Sequence, residues 1–99
     1  MEALEWISTR EPRPPAALIE RMSRALHDSP EHAGGSVASR LLAAATGILR
    51  DGPGADRAAA LDLLAADALI TYAMESASEN CESIDAVAGE AVRAICNLR

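Results

Sequence analysis

The sequence contains no lysine and no phenylalanine, and its only aromatic side chains are one tryptophan and one tyrosine. Nine arginines are outnumbered by 15 acidic residues, which gives a formal net charge of −6 at pH 7. No basic surface is broad enough to neutralise a run of phosphates, so nucleic-acid binding is not expected. The absence of lysine also excludes Schiff-base chemistry and the lysine that often grips a phosphate.

Cysteine is scarce as well, since Cys81 and Cys96 are the only two. Two cysteines are too few for a disulfide scaffold, and their spacing is not that of a C-x-x-C motif. Neither cysteine lies in a recognisable nucleophile signature. We expect Cys96 to be a small, half-buried residue beside the core.

Long apolar runs are missing too. Asp62, Asp67 and Glu75 interrupt the longest apolar stretches before they reach about 18 residues, so no membrane span is expected. The acidic N-terminus, residues 1–5, lacks the basic and apolar regions of a secretory signal. These features predict a soluble cytoplasmic protein.

Alanine dominates what is present, with 22 of the 99 residues, while Leu, Ile and Val number 11, 6 and 3. The core of such a chain is thin. Alternating runs of β-branched or aromatic residues are absent, and alanine is the strongest helix former. The composition therefore predicts a single all-α domain.

Proline- and glycine-containing breaks at residues 11–15, 29–35 and 51–54 divide the chain into helical segments. The glycine pairs in these breaks match no phosphate-binding motif and are interpreted as turns. We predict a short helical turn at 3–9 and helices from 14 or 15 to 27 or 28, from 36 to about 50, from 55 to 79 and from 83 to 97. The expected architecture is an up-and-down bundle of about four helices over 14–99, with an N-terminal docking segment over 1–13.

Apolar residues at helical spacing predict which face of each segment is buried. The segment 55–79 is the longest, and we expect it to be the central helix. The predicted core residues are, in chain order, Leu4, Trp6 and Ile7; Leu18, Met22, Ala25 and Leu26; Val37, Leu41, Ala44, Ala45 and Ile48; Leu61, Leu63, Ala65, Ala68, Leu69, Ile70, Tyr72, Ala73 and Ala77; and Ile84, Val87, Ala88, Ala91, Ala94, Ile95 and Leu98.

A polar stripe follows the predicted central helix, formed by Asp67, Thr71, Glu75 and Ser78. Its two carboxylates are eight residues apart, about 12 Å along a helix, too far to share a proton or one metal ion. We interpret the stripe as a solvent-exposed face. Asp62 differs because it lies within the apolar arc, where we expect it to meet free helix N–H groups or an arginine of a neighbouring helix.

His27 precedes the break at 29–35 and His32 lies within it, and their spacing matches no familiar zinc site. We expect a solvated loop there, no metal and no cofactor. An enzyme would need these histidines to converge with Asp67 and Glu75 in one cleft, which the spacing does not favour. The sequence therefore predicts a protein without catalytic activity.

Two stretches of the sequence follow an order of residues found in known enzymes. The first contains Arg21-Met22, Ala25-Leu26, Gly34-Gly35, the run LLAAA at 41–45 and the run AAALDLL at 58–64; the second is LAADALITYA at 64–73. These resemble, respectively, the early helices and a Leu-Ala-Gly-Asp-Ala-Leu helix of trans-isoprenyl diphosphate synthases. The resemblance covers some 60 residues and implies a helical architecture.

The motifs that carry the chemistry of that family are missing from this chain. Residues 36–39, Ser-Val-Ala-Ser, stand where the family has its basic diphosphate-gripping segment, with only Arg40 after them. No aspartate-rich DDxxD motif is present to hold magnesium. Synthase activity is therefore not implied, and no site residue is assigned from the resemblance.

Two functions agree with these features. The first is a non-catalytic protein–protein interaction module that homodimerises or docks on a partner protein, because 99 residues do not fully cover the apolar faces of the last two helices. The alternative is a binder of a small apolar ligand, such as a lipid or an isoprenoid tail, held between helices. The residues predicted to contact that ligand are Leu61, Ala65, Leu69, Tyr72 and Ile95.

Overall fold

A computed structural model describes residues 2–29, 36–51, 57–79 and 84–97 of the chain. These ranges contain five helices and no strand: α1 (Ala3–Ser8), α2 (Ala16–Asp28), α3 (Val37–Asp51), α4 (Arg57–Glu79) and α5 (Ile84–Cys96). The predicted all-α class is confirmed, and the arrangement is compatible with a small helical bundle. None of the described helices is both long enough and apolar enough to span a membrane.

The starts of α2 and α3 follow the local signals in the sequence. Pro15 stands at the N-cap of α2, where its missing N–H is not needed, and its carbonyl accepts a bond from the Ile19 amide at 3.0 Å. Ser36 caps α3, because its Oγ accepts a hydrogen bond from the Ser39 amide at 3.1 Å. The cap predicted at Ser36 is confirmed, whereas the predicted glycine turns lie outside the described residues.

The helices α3 and α4 form the most extensive contact of the fold. Each of α2 and α5 packs against both of them, and α1 packs against α2 and α3. Alanines at the centre of α4, such as Ala65 and Ala73, are completely buried. Their small side chains allow neighbouring helices to approach closely. The predicted central helix α4 therefore shares the centre of the fold with α3.

Few large side chains fill the centre of the bundle. Met22, Leu41 and Leu69 have no exposed surface, and alanines contribute much of the remaining core. The only buried polar residue that the described ranges contain is Ser76. No buried side-chain nitrogen or oxygen in these ranges lacks a hydrogen-bond partner. The core is therefore thin, as the composition predicts, and its polar groups are satisfied.

Three residues predicted to lie in the core are exposed instead. Leu4 is 39% exposed because the six-residue α1 turns Ala3 and Ile7 inward, so that Leu4 lies off their face. Leu63 is 48% exposed because α5, with 13 residues, covers only part of the 23-residue α4. Ile95 is 45% exposed at the edge of α5. Among the α5 residues whose burial is described, 85–96, the buried ones are Val87 and Ala91.

Candidate interaction surface

An apolar groove runs between α3 and α5, with α4 beneath it. It has about 180 Å³ of space open to solvent and encloses no volume large enough for a water molecule. The hydroxyl of Thr46 in the groove donates to the Leu42 carbonyl at 2.9 Å, so the hydroxyl proton is already used. The groove is lined by Leu42, Ala45, Thr46, Leu49, Ile70, Ala91 and Ile95.

Exposed aliphatic side chains border this groove on α5. Val92 is 60% exposed and Ile95 is 45% exposed, and residues three apart are neighbours on a helix surface. We call this pair the α5 edge. On α4, Leu63 lies two turns before Ile70, with the exposed Asp67 between them, so it is a separate exposed apolar residue. The α5 edge adjoins the groove through Ile95.

Charged residues and a glycine occupy the side of α5 that points away from the core. Asp85 lies in the first turn and Arg93 in the last turn, and both are exposed. Within the described ranges neither takes part in a salt bridge. Between them, a Cβ on Gly89 would meet only Nη1 of Arg93, at 3.3 Å. The guanidinium of Arg93 therefore lies against the half-buried Gly89 on the outer side of α5.

The residues predicted to bind an apolar ligand do not all line this groove. Ala65 and Leu69 are fully buried in the core, Leu61 and Tyr72 are half-buried, and Ile95 is the only one of the five in the groove lining. The groove does not bring these five residues together, so their role in ligand binding stays a prediction.

A cluster that the sequence did not indicate joins the N-terminal segment to the end of α4. Trp6 Nε1 donates to Glu79 Oε1 at 3.2 Å, and Arg10 forms a salt bridge with the same carboxylate. The Arg10 guanidinium also lies 4.1 Å from the centre of the Trp6 ring, which Tyr72 meets edge-on at 5.9 Å. We call Trp6, Arg10, Tyr72 and Glu79 the N-terminal clasp.

The clasp changes the acidity of two of its members. The hydrogen bond from Arg10 lowers the pKa of Glu79, burial opposes this shift, and the Trp6 hydrogen bond and the Arg10 charge lower the pKa further by smaller amounts. Burial raises the pKa of Tyr72, and the nearby Glu75 carboxylate raises it further while Arg10 opposes the shift. Trp6 is only 4% exposed, so the clasp holds α1 on the bundle and is not an open binding site.

Asp62 is paired as the sequence predicted. Its Oδ1 accepts a hydrogen bond from Arg21 Nε on α2 at 2.5 Å, and both side chains are partly buried. The expected arginine of a neighbouring helix is therefore Arg21. The pair links α2 to α4 and is not part of a catalytic pocket in the described residues.

The polar stripe on α4 is solvent-exposed, as predicted. Asp67, Thr71, Glu75 and Ser78 are all exposed, and the Thr71 hydroxyl donates to the Asp67 carbonyl one turn earlier at 3.0 Å. Across the described ranges, no three His, Cys, Asp or Glu residues are grouped to hold a metal ion.

The other candidate reactive side chains that the structure describes, those of His27 and Cys96, do not lie on the polar stripe of α4. His27 is exposed at the end of α2, while His32 and Cys81 lie outside the described residues. The prediction for Cys96 was wrong, because its thiol is free and the residue is exposed in the last turn of α5. The apolar face of α5 is narrower than the sequence pattern indicates, which leaves Cys96 outside it.

Comparison with protein-family models, with curated proteins and with solved structures finds no match to this chain. The resemblance to isoprenyl diphosphate synthases therefore stays a prediction about helical architecture.

Proposed function

We propose that the chain is a small, acidic, cytoplasmic protein–protein interaction module without catalytic activity, and that it homodimerises through the α5 edge. The observation that carries the proposal is the exposure of Val92 and Ile95 beside an apolar groove. A contiguous exposed apolar surface on a small protein is typical of an interaction site.

The free energy available from this surface sets the expected affinity. Full burial of a Val or Ile side chain stabilises by about 1.5–3 kcal/mol, so covering the exposed part of each contributes roughly 1 kcal/mol. A symmetric dimer buries each side chain twice, so the four side chains together contribute roughly 4 kcal/mol, which corresponds to a dissociation constant of about 1 mM before the groove is counted. We therefore expect weak, reversible association in the high micromolar range.

Sedimentation velocity over protein concentrations from about 1 µM to about 500 µM tests the proposal. The wild type is expected to shift towards twice its 10.3 kDa mass as its concentration rises. Val92→Glu and Ile95→Glu place a charge on the α5 edge and are expected to remain monomeric.

The matched control is Thr71→Glu, which adds the same charge on the exposed stripe of α4. It is expected to associate like the wild type, and circular dichroism checks that all variants retain their helices. A wild type that stays monomeric throughout the range contradicts the proposal. So does association that persists unchanged in both α5 variants.

Binding of a small apolar ligand is the second candidate function, and the apolar lining of the α3–α5 groove supports it. The groove encloses no volume large enough for a water molecule, whereas typical ligand pockets hold roughly 300–1,000 Å³, so a ligand must separate the helices or lie across the surface. Native mass spectrometry of the gently purified protein tests this role. A retained small molecule whose binding Ile70→Asp abolishes favours the ligand, whereas a bare chain argues against it.

A further inference from the structure

We infer that residues 2–10, which we call the N-terminal arm, are an exchangeable element, and that the arm of one copy binds the arm-binding surface of a second copy. The arm-binding surface is the side of α2 and α3 that α1 covers, together with Tyr72 and Glu79 of α4. The inference goes beyond the proposed function, because it does not involve the α5 edge.

The side chains that hold the arm in place all lie within residues 3–10. Ala3, Trp6 and Ile7 are each no more than 4% exposed, and their spacing places them on one face of α1. Trp6 Nε1 donates to Glu79 at 3.2 Å, and Arg10 pairs with the same carboxylate while its guanidinium lies over the Trp6 ring. An arm that arrives from another copy therefore makes the same contacts as the chain's own arm.

The helix of the arm depends on this surface. Six residues are fewer than the roughly 12–15 that an isolated helix needs in water, so α1 is helical only while it is packed on the bundle. The helices α2 to α5 pack against one another independently of α1, and their most extensive contact is that of α3 with α4. The arm therefore detaches as one unit while the rest of the bundle stays folded.

The segment between the arm and α2 suits exchange. Residues 11–15 are not helical and contain three prolines, and all of them except Pro14 are exposed. Proline favours an extended backbone, and Pro15 has φ −58° and ψ 150°, which is the polyproline II conformation. Five residues in that conformation span roughly 15 Å. This length of extended chain allows the arm to leave its own bundle and reach a neighbouring one.

Mass action decides between the two positions of the arm. A short linker holds the arm near its own surface at an effective concentration on the order of millimolar. Symmetric exchange between two copies preserves both sets of contacts, so it competes where the copies approach that concentration. Weakening the contact within one chain shifts the arm to the second copy at a lower concentration.

Complementation between two full-length variants tests the exchange. The arm donor, Glu79→Arg, keeps an intact arm but repels Arg10 from its own surface. The arm acceptor, Trp6→Ala, keeps Glu79 and contains no tryptophan, because Trp6 is the only one. Both variants also carry Val92→Glu, which removes association through the α5 edge. The donor alone is expected to emit at longer wavelength than the wild type. Adding the acceptor to about 500 µM is expected to return the emission towards that of the wild type and to produce a heterodimer in sedimentation velocity.

The matched control is an acceptor that combines Trp6→Ala with Glu79→Arg and is expected to restore the donor emission severalfold less well. A peptide of residues 1–13 provides a second measurement, because its tryptophan is the only one present when it is titrated into full-length Trp6→Ala. Its emission is expected to shift to shorter wavelength on binding. The same peptide with Arg10→Glu is expected to bind severalfold more weakly.

Rescue by the acceptor but not by the control supports the exchange. Donor emission that equals that of the wild type, or that neither chain changes, overturns the exchange. Equal rescue by both chains also overturns it, because the donor arm is then not recognised through Glu79. Peptide binding without a heterodimer overturns exchange between copies. Rescue in a pair that carries Val92→Glu, together with a wild type that stays monomeric up to about 500 µM, contradicts the proposed function alone.

Discussion

The indole nitrogen of Trp6 donates a hydrogen bond to the carboxylate of Glu79, and this contact connects residues 73 positions apart in the chain. It ties α1 to the last turn of α4. A six-residue helix is too short to be stable alone, so α1 depends on contacts of this kind and on the burial of Trp6 and Ile7. The first two predictions concern this clasp.

Removing the Glu79 carboxylate is expected to loosen α1. Glu79→Ala eliminates the acceptor of the Trp6 hydrogen bond and the salt bridge with Arg10. The emission of Trp6, the only tryptophan, is expected to shift to longer wavelength as the ring gains contact with water. Glu79→Gln keeps an oxygen acceptor and is expected to show a smaller shift. Glu75→Gln, one turn away and exposed, is the control; an equal shift in that variant would argue against the clasp.

Lowering the pH is expected to weaken the contacts of Glu79 with Trp6 and Arg10. The folded-state pKa of Glu79 lies below its ordinary value of 4.5, so its ionised form stabilises the folded state above that pH. This stabilisation is lost as the pH falls through the lowered pKa. Trp6 emission and the thermal midpoint, followed between about pH 6 and pH 3, are expected to change less in Glu79→Gln than in the wild type. Identical pH profiles would exclude Glu79 as a contributor.

Breaking the ion pair between α2 and α4 is expected to destabilise the bundle. Asp62→Ala leaves the partly buried guanidinium of Arg21 without its acceptor, at a cost of about 1–2 kcal/mol in the free energy of unfolding. Urea denaturation of Asp62→Ala, Arg21→Ala and the double variant measures the coupling. Because the two residues form one contact, the double variant is expected to lose less than the sum of the single losses. Additive losses would show that the pair does not interact.

Enlarging a central alanine is expected to disrupt the close approach of the helices. Ala73→Leu inserts a large side chain where no surface is exposed, and such overpacking costs typically 1–3 kcal/mol of stability. Ala60→Leu, at an exposed position of the same helix, is expected to change the urea midpoint little. Equal effects at the two sites would contradict the observed packing.

Local chemistry made several features predictable from the sequence. A serine before an alanine- and leucine-rich run indicates an N-cap, and Ser36 fills that role. A carboxylate within an apolar arc requires a partner, and Asp62 has one in Arg21. Polar residues at helical spacing predicted the exposed stripe on α4. In each case the signal lies within a few residues or follows from the cost of burying a charge.

The features that the sequence did not predict depend on how the helices pack against one another. The contact of Trp6 with Glu79 depends on how the N-terminal segment meets the far end of α4, which no local pattern encodes. Ile95 matches the spacing of a core residue, yet the narrow contact of α5 with the bundle leaves it exposed. The length of α4 relative to α5 likewise exposes Leu63. The candidate interaction surface consists largely of residues that sequence periodicity assigned to the core.

Native mass spectrometry of the purified chain at several protein concentrations tests the central claim, self-association, most directly. It reports the number of subunits and any retained small molecule in one measurement. We predict a bare dimer at twice the 10.3 kDa chain mass, with a population that grows with concentration. A single chain at every concentration, with or without a bound molecule, would contradict it.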